Sequence, residues 1–532
     1  MKRIICFVLG ATVAVAAGAQ TWQDALLFSE NNYSGTARSV GMGNALTAIG
    51  GDAGSLTFNP AGSAVASYSQ FEITPGFTFS LANVGPADGM SYMADKRNTF
   101  YGGFKMPNVG FIFNLDTGRR SGLKRMSFGF VVNATNNYTN RFIASGVNDD
   151  NSYAASLASL ATANGYSNNE LRGADWYSFP SWIDMTGYRA GLFNGIYDQG
   201  GALLDGNYAA ITEVYDVDDQ GNIDYWLAAP VYQEYGLQTR GSKHDILLNY
   251  ALNFSDKFYI GANLGVTTLH YSLSEYWSEK AENPADFPII EYDDGTTARF
   301  ESLRMKNKLR LDGNGVYFKL GILWRPVSGL RIGAAVQTPT MLNFRERYGY
   351  SGESKLTGRQ MSASSPEDDW IYALRTPFRA NLGLAYAIGN VAVVSADYEF
   401  VNYASSAFRS RSDNGYSIGS FSEVNQDIRD LLTASHQLRL GAEVKVTPGV
   451  ALRAGYNLIT NGERELTLLK HNVSVGAGFS FGSFFLDAAF RARFVPIEIV
   501  TPYEYYQLDI TTPKVLVRST MLDGLLTIGW RF

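Results

Sequence analysis

A single cysteine, Cys6, and four histidines occur among 532 residues, and only 18% of the chain is charged. Everything after Cys6 lacks a thiol, so that stretch can form no disulfide, no Cys-ligated metal centre and no Cys nucleophile. Ordinary soluble chains carry roughly 25% charge, which makes this surface under-charged. Past the N-terminus no uninterrupted apolar run approaches the ~18 to 20 residues of a spanning helix, so a helical membrane bundle is excluded. The mean hydropathy is −0.11. Disorder is opposed by 32 Tyr, 32 Phe and 8 Trp, since disordered chains are poor in aromatics. A net charge of −6 opposes nucleic-acid binding. What remains is glycine (54 residues), aromatics and few charges. That balance suits a transmembrane β-barrel, which hides its hydrophobicity in alternation.

The start sets the expected compartment. Lys2 and Arg3 precede an apolar stretch, Ile4 to Ala17, and Ala17-Gly18-Ala19 supplies small residues before Gln20. Residues 1–19 therefore read as a secretory signal peptide. Cys6 lies in its apolar part, and no cysteine stands at the cleavage site for lipid attachment. Removing Lys2 and Arg3 takes the charge from −6 to −8.

Period-two alternation then recurs. Phe484, Leu486, Ala488, Phe490, Ala492 and Phe494 share one parity; Asp487, Ala489, Arg491 and Arg493 share the other. Leu438, Leu440, Ala442, Val444 and Val446 likewise oppose Arg439, Gly441, Glu443 and Lys445. Alternate residues of a strand face opposite sides, so each strand has a greasy face and one that accepts charge or glycine. The pattern gives fourteen strands between residues 70 and 532, with short turns such as Ser255-Asp256-Lys257, Gly389-Asn390 and Gly482-Ser483 at every second connection. The intervening loops are longer, the longest over 141–243. Short periplasmic turns facing long extracellular loops are the mark of outer-membrane barrels. The expected fold is all-β: a 14-stranded antiparallel transmembrane β-barrel over residues 70–532. The last strand alternates Leu522, Leu526, Ile528, Trp530 and Phe532 with Asp523, Thr527 and Arg531. Its terminal Phe looks like the signal read by the bacterial barrel-assembly machinery.

Residues 20–69 precede the first strand. They combine Leu26-Leu27-Phe28 with small-residue stretches, Gly41-Met42-Gly43-Asn44-Ala45 and Gly50-Gly51-Asp52-Ala53-Gly54, and close on Asn59-Pro60-Ala61-Gly62. Small residues permit close backbone approach, as a small N-terminal hatch folded in the lumen requires. Arg38-Ser39-Val40-Gly41-Met42-Gly43 followed by Asn59, Pro60 and Ala61 resembles the hatch of the FadL/TodX family of outer-membrane transporters. Gly313-Asn314-Gly315, Lys319-Leu320-Gly321, Trp324-Arg325-Pro326, Leu330-Arg331-Ile332-Gly333 and Thr338-Pro339-Thr340 are similar to that family's central hairpin. The resemblance implies passive uptake of hydrophobic compounds, long-chain fatty acids foremost. They would be captured in an extracellular groove and released sideways when the hatch rearranges. It implies no cofactor, no enzymatic activity, a monomer, and a setting of outer-membrane lipid and lipopolysaccharide. A second reading is a FadL-like structural barrel of a secretion system, whose loops bind protein partners.

Other constellations fit beside this reading. Arg331, Arg439, Glu443, Arg453, Asp487 and Arg491 fall on the inward parity, where they would hold the hatch or neighbouring strands by ion pairs; an arginine there could also take a ligand carboxylate. Asp216, Asp218, Gln220 and Asp224, with Gly221, match the first part of a calcium loop, but Leu227 stands where the bidentate Glu belongs. An acidic hairpin is the simpler expectation. Gly415-Tyr416-Ser417-Ile418-Gly419 matches a hydrolase elbow in letters but lies in a polar loop. His244, His270, His436 and His471 sit singly, without metal spacing.

Overall fold

The computed structural model describes residues 9–10, 20–87, 89–292, 295–411, 420–505 and 510–532. The Gly-x-Ser-x-Gly stretch at 415–419 and nearly all of the expected signal peptide lie outside the described residues.

Alternation builds a closed barrel of 14 antiparallel strands. In order they are β1 (Gln70–Pro86), β2 (Arg97–Asp116), β3 (Leu123–Asn137, continued by Asn140–Asn148), β4 (Val231–Phe254) and β5 (Phe258–Ala281). Next come β6 (Phe300–Trp324), β7 (Leu330–Gln337 and Met341–Leu356), β8 (Asp368–Arg375 and Arg379–Ile388) and β9 (Ala392–Asn402 and Ala407–Ser410). The wall ends with β10 (Ala434–Thr447), β11 (Val450–Ile459), β12 (Lys470–Phe481), β13 (Phe484–Phe494) and β14 (Val515–Arg531). β14 pairs with β1 from Arg531↔Gln70 to Val515↔Pro86, which closes the ring. Ser69 and Phe532 exchange backbone hydrogen bonds of 3.0 Å at that seam.

The outward parity is the apolar one. Phe484, Trp324, Trp530 and Phe532 are about half exposed at the short-turn rim, where barrels carry an aromatic girdle. Inward residues are polar: Asp523, Thr527 and Arg439 are wholly buried. The breaks in β7 and β8 fall at Thr338-Pro339-Thr340 and Thr376-Pro377-Phe378, where proline supplies no ladder N–H. Threonine hydroxyls beside the breaks accept backbone N–H groups: Phe318 N–H donates to Thr338 Oγ1 at 3.0 Å, and Thr340 N–H to Thr376 Oγ1 at 3.0 Å.

The long connection differs from its expected bounds. β3 runs on to Asn148 and β4 starts at Val231, so the loop spans 149–230 rather than 141–243. Crossing a bilayer needs only ~9 to 11 tilted residues, whereas β4, β5 and β6 have 24, 24 and 25. Their upper halves stand above the membrane, so the lipid-facing alternation is missing there.

Residues 20–69 fold inside the barrel. They form α1 (Trp22–Ser29), α2 (Ala37–Gly41) and two 3-10 turns, Ala53–Thr57 and Pro60–Val65. Thr21 caps α1 in a reciprocal capping box with Asp24. Over the opposite mouth the 149–230 loop packs α3 (Tyr153–Asn164), α4 (Asn168–Gly173), α5 (Trp182–Arg189) and two short hairpins into a cap. Its core joins Leu157, Met185 and Phe193 to inward residues of the wall, among them Trp277 and Leu303. Glu279 of β5 fixes the cap by accepting the Tyr153 N–H at 2.6 Å. Between β9 and β10 lies α6 (Ser422–Leu431).

Candidate functional site

The lumenal segment is seated on the wall by glycines at inward positions. A Cβ on Gly261 would lie 2.5 Å from the Pro60 carbonyl carbon; one on Gly321, 2.7 Å from Pro60 Cδ; one on Gly455, 2.5 Å from Gly43 Cα. Gly43 itself has φ +61, a conformation that favours glycine.

Asn59 joins segment to wall. Its Nδ2 donates to Thr47 O and to Ile322 O of β6, both at 2.8 Å, and its Oδ1 accepts the Ala61 N–H at 3.1 Å. Pro60 opens the second 3-10 turn, where its missing N–H costs nothing. Ala61 is fully buried against Ala251, Tyr259 and Leu323.

The inward charges named from sequence fall into four groups. Glu443 binds Arg38 of the segment at 2.9 Å and Arg453 at 2.6 Å, and Arg453 continues to Asp487 at 2.6 Å. Beside this chain burial raises the Asp52 carboxyl, while Arg38 and the Thr36 hydroxyl oppose the rise. Arg491 pairs with Asp523 at 2.8 Å and donates to Tyr33 O at 2.6 Å. Arg331 donates to Ile49 O at 2.8 Å. Arg439 is apart from these, paired with Glu399, which also holds Arg379 at 2.9 Å. Each group thus joins neighbouring strands, the lumenal segment, or both.

Sequence reasoning missed Glu399, Arg379 and Lys243, and named Lys319 only within the hairpin match. Lys319 Nζ donates to Thr57 O at 2.5 Å. The available signal was parity: Asp397 and Glu399 alternate with Tyr398 and Phe400 on β9.

Mid-lumen, α1 fills an apolar chamber. Phe28 meets Tyr271, Phe344 and Tyr138 of three different strand regions, with ring centroids 5.3, 5.4 and 6.1 Å away. The chamber continues through Leu269, Leu311, Tyr372 and Leu374. Cations meet the C-terminal end of α1, where a helix presents free carbonyls and partial negative charge. Lys243 Nζ donates to Phe28 O at 2.8 Å and Glu30 O at 2.6 Å; Arg379 donates to Ser29 O; Lys470 pairs with the Glu30 carboxylate at 2.8 Å. Two small polar cavities adjoin this end, sharing Asn31 and Arg379 in their linings.

The wall beside the chamber is split. The ladder between β2 and β3 covers only Asn108 to Asp116. Above it Arg97 instead reaches Glu234 of β4 at 2.9 Å, and Tyr101 lies under the Arg240 guanidinium at 5.0 Å. The lumenal segment takes the β3 edge that β2 leaves: Asn32 N–H donates to Thr135 O at 2.7 Å and Ser34 N–H to Ala134 O at 2.8 Å.

The acidic stretch at 216–224 is a hairpin, with Asp216 opposite Asp224. Asp218 Oδ1 accepts the N–H groups of Gln220 and Asn222, both at 2.8 Å, and its Oδ2 the Asn222 amide at 2.7 Å. These contacts of Asp218 close the hairpin turn. Among the described residues no group of three His, Cys, Asp or Glu could hold a metal. His270 binds Asp312 at 2.6 Å, while His436 and His471 bind Tyr398 and Tyr456 at 2.6 and 2.8 Å.

No protein-family model matches the chain, and no curated protein matches it in sequence. Solved structures do. A Pseudomonas aeruginosa FadL homologue is 13% identical, covering 94% of this chain and 99% of its own, with a TM-score of 0.50. The toluene transporter TodX of P. putida is also 13% identical, covering 93% and 98%, with a TM-score of 0.48. The chain therefore has the fold of the FadL-type outer-membrane barrels, a closed 14-stranded wall around an N-terminal lumenal segment.

Proposed function

We propose that the protein carries hydrophobic compounds passively across the outer membrane, with long-chain fatty acids as its ligand class and residues 20–69 as its hatch. One observation carries this reading: the way α1 occupies the lumen. Its apolar body lies in an aromatic chamber and its electronegative end rests on Lys243, Arg379 and Lys470. A fatty acid has the same polarity, an apolar chain ending in a carboxylate, so it competes for α1's place. The fold shared with a FadL homologue supports the reading.

Displacing α1 pulls on Asn32 and Ser34, which hold the open edge of β3. Lateral release follows as a proposal: the freed edge becomes a sideways exit between β2 and β3, and the ligand passes into the bilayer without crossing water, where its apolar surface is disfavoured. Asn59 keeps the rest of the hatch on the wall meanwhile. The test is equilibrium binding of a labelled long-chain fatty acid to the purified barrel. Deleting residues 20–29 should tighten binding, and Lys243→Gln with Arg379→Gln should weaken it. Equal affinity in all three proteins would overturn the proposal.

A further inference from the structure

The outer wall of β5–β7 carries a feature that transport does not use. Along β6 the outward side chains are Trp324, Ile322, Leu320, Phe318 and Val316, then Asn314, Asp312, Arg310, Lys308, Lys306 and Arg304. The first set is lipid-facing, with Val316 55% exposed. At ~3.3 Å per residue and a tilt of about 40°, each outward step climbs ~5 Å. Arg310 and Lys308 thus stand roughly 15 to 20 Å above Val316 on that strand geometry. β7 sets Arg347 opposite Arg310 and Arg345 opposite Asp312.

Two of the local acids are already paired, while Glu353 stands opposite Arg304 and Glu367 beside Gly349, the ladder partner of Lys308, so the basic residues remain in excess. Asp369 pairs with Arg345 at 2.5 Å and Arg347 at 3.4 Å; Asp312 takes His270 at 2.6 Å and Arg347 at 3.5 Å. Arg304 lies over Tyr276, 4.6 Å from the ring centroid, with Glu353 across the ladder. Lys306, Lys308 and Arg310 have no acidic partner among the described residues. Across β5 they face Tyr276, Ser274 and Ser272, none of them charged. A row of like charges repels itself, so its placement on the outer face beyond the lipid-facing band calls for an anion.

We propose that Lys306, Lys308 and Arg310, flanked by Arg345 and Arg347, bind the phosphates and carboxylates of an outer-leaflet glycolipid whose acyl chains lie against Val316–Trp324. Arginine takes such groups in bidentate fashion and lysine as a point charge. This inference rests on the outer-membrane setting, not on the transport reading, and fails separately from it.

The test measures binding of the full barrel to lipopolysaccharide, phosphatidylglycerol vesicles and inorganic phosphate. Basic residues near a charged lipid surface contribute about fivefold each. Lys306→Gln/Lys308→Gln/Arg310→Gln should therefore lose lipopolysaccharide by on the order of a hundredfold, while Lys308→Arg/Arg310→Lys keeps it. Heat-modifiable gel migration reports folding, and the single variant Lys308→Gln carries the test if the triple one misfolds. Undiminished lipopolysaccharide binding in the neutralised variants overturns the site. So does wild-type binding of phosphatidylglycerol equal to that of lipopolysaccharide, or displacement of lipopolysaccharide by millimolar phosphate.

Discussion

Replacing Asn59 by alanine tests how the lumenal segment is held. The substitution removes the donors to Thr47 O and Ile322 O and the acceptor for the Ala61 N–H. Each hydrogen bond contributes about 1 kcal/mol net, and leaving buried partners unpaired costs at least as much. The local loss is then ~3 kcal/mol, which multiplies the population of the loosened segment by roughly a hundredfold. The wall should survive, because its strands satisfy one another. Gly321→Ala attacks the same joint from the other side, since its Cβ would lie 2.7 Å from Pro60 Cδ and collide with the Asn59 side chain. Hydrogen exchange across residues 45–65 should accelerate in both variants, and single-channel recordings should show added leak. Exchange within twofold of the wild type in both, with the barrel folded, would refute the reasoning.

Three further outcomes follow from other parts of the molecule. Burial pushes Asp184 up to about 6 and Glu213 up to about 7, both in the cap. Folded values above the unfolded ones mean stability that is full below pH ~4 and lost as pH rises through 6 to 7, so amides of 150–230 should exchange faster at pH 8 than at pH 5 after correction for intrinsic rates, and Asp184→Asn with Glu213→Gln should flatten the difference. Glu399→Gln leaves Arg379 and Arg439 buried without their carboxylate, and the urea midpoint should fall by the equivalent of about 3 to 5 kcal/mol. Phe532→Asp should lower membrane insertion, which immunoblots of outer-membrane fractions would show, and leave the apolar chamber around Phe28 unchanged.

The wall was legible because lipid imposes a strict period of two: alternation such as Phe484 to Phe494 occurs only where one face must be greasy. It failed at 140–148 and 231–243, where Gln233, Glu234 and Gln238 put polar groups on both faces above the membrane and resemble a loop. The lumenal segment was legible in composition but not in contacts. Asn59 meets Ile322 across 263 positions, and only the fold sets them together. The chamber around Phe28 draws on Tyr138, Tyr271 and Phe344, each of which reads in its own strand as an ordinary aromatic. Inward charges were visible by parity, yet pairing Glu399 with Arg379 and Arg439 needed the register of β8, β9 and β10.

Whether α1 must leave the lumen for transport is open to one direct measurement. Ser29 Oγ of α1 lies 3.5 Å from Ser406 Oγ of the wall, close enough for a disulfide between cysteines after a small shift. In the Ser29→Cys/Ser406→Cys variant, fatty-acid uptake should stop when the bond is oxidised and return when it is reduced. Uptake at the wild-type rate with the disulfide formed would contradict the claim that ligand takes the place of α1.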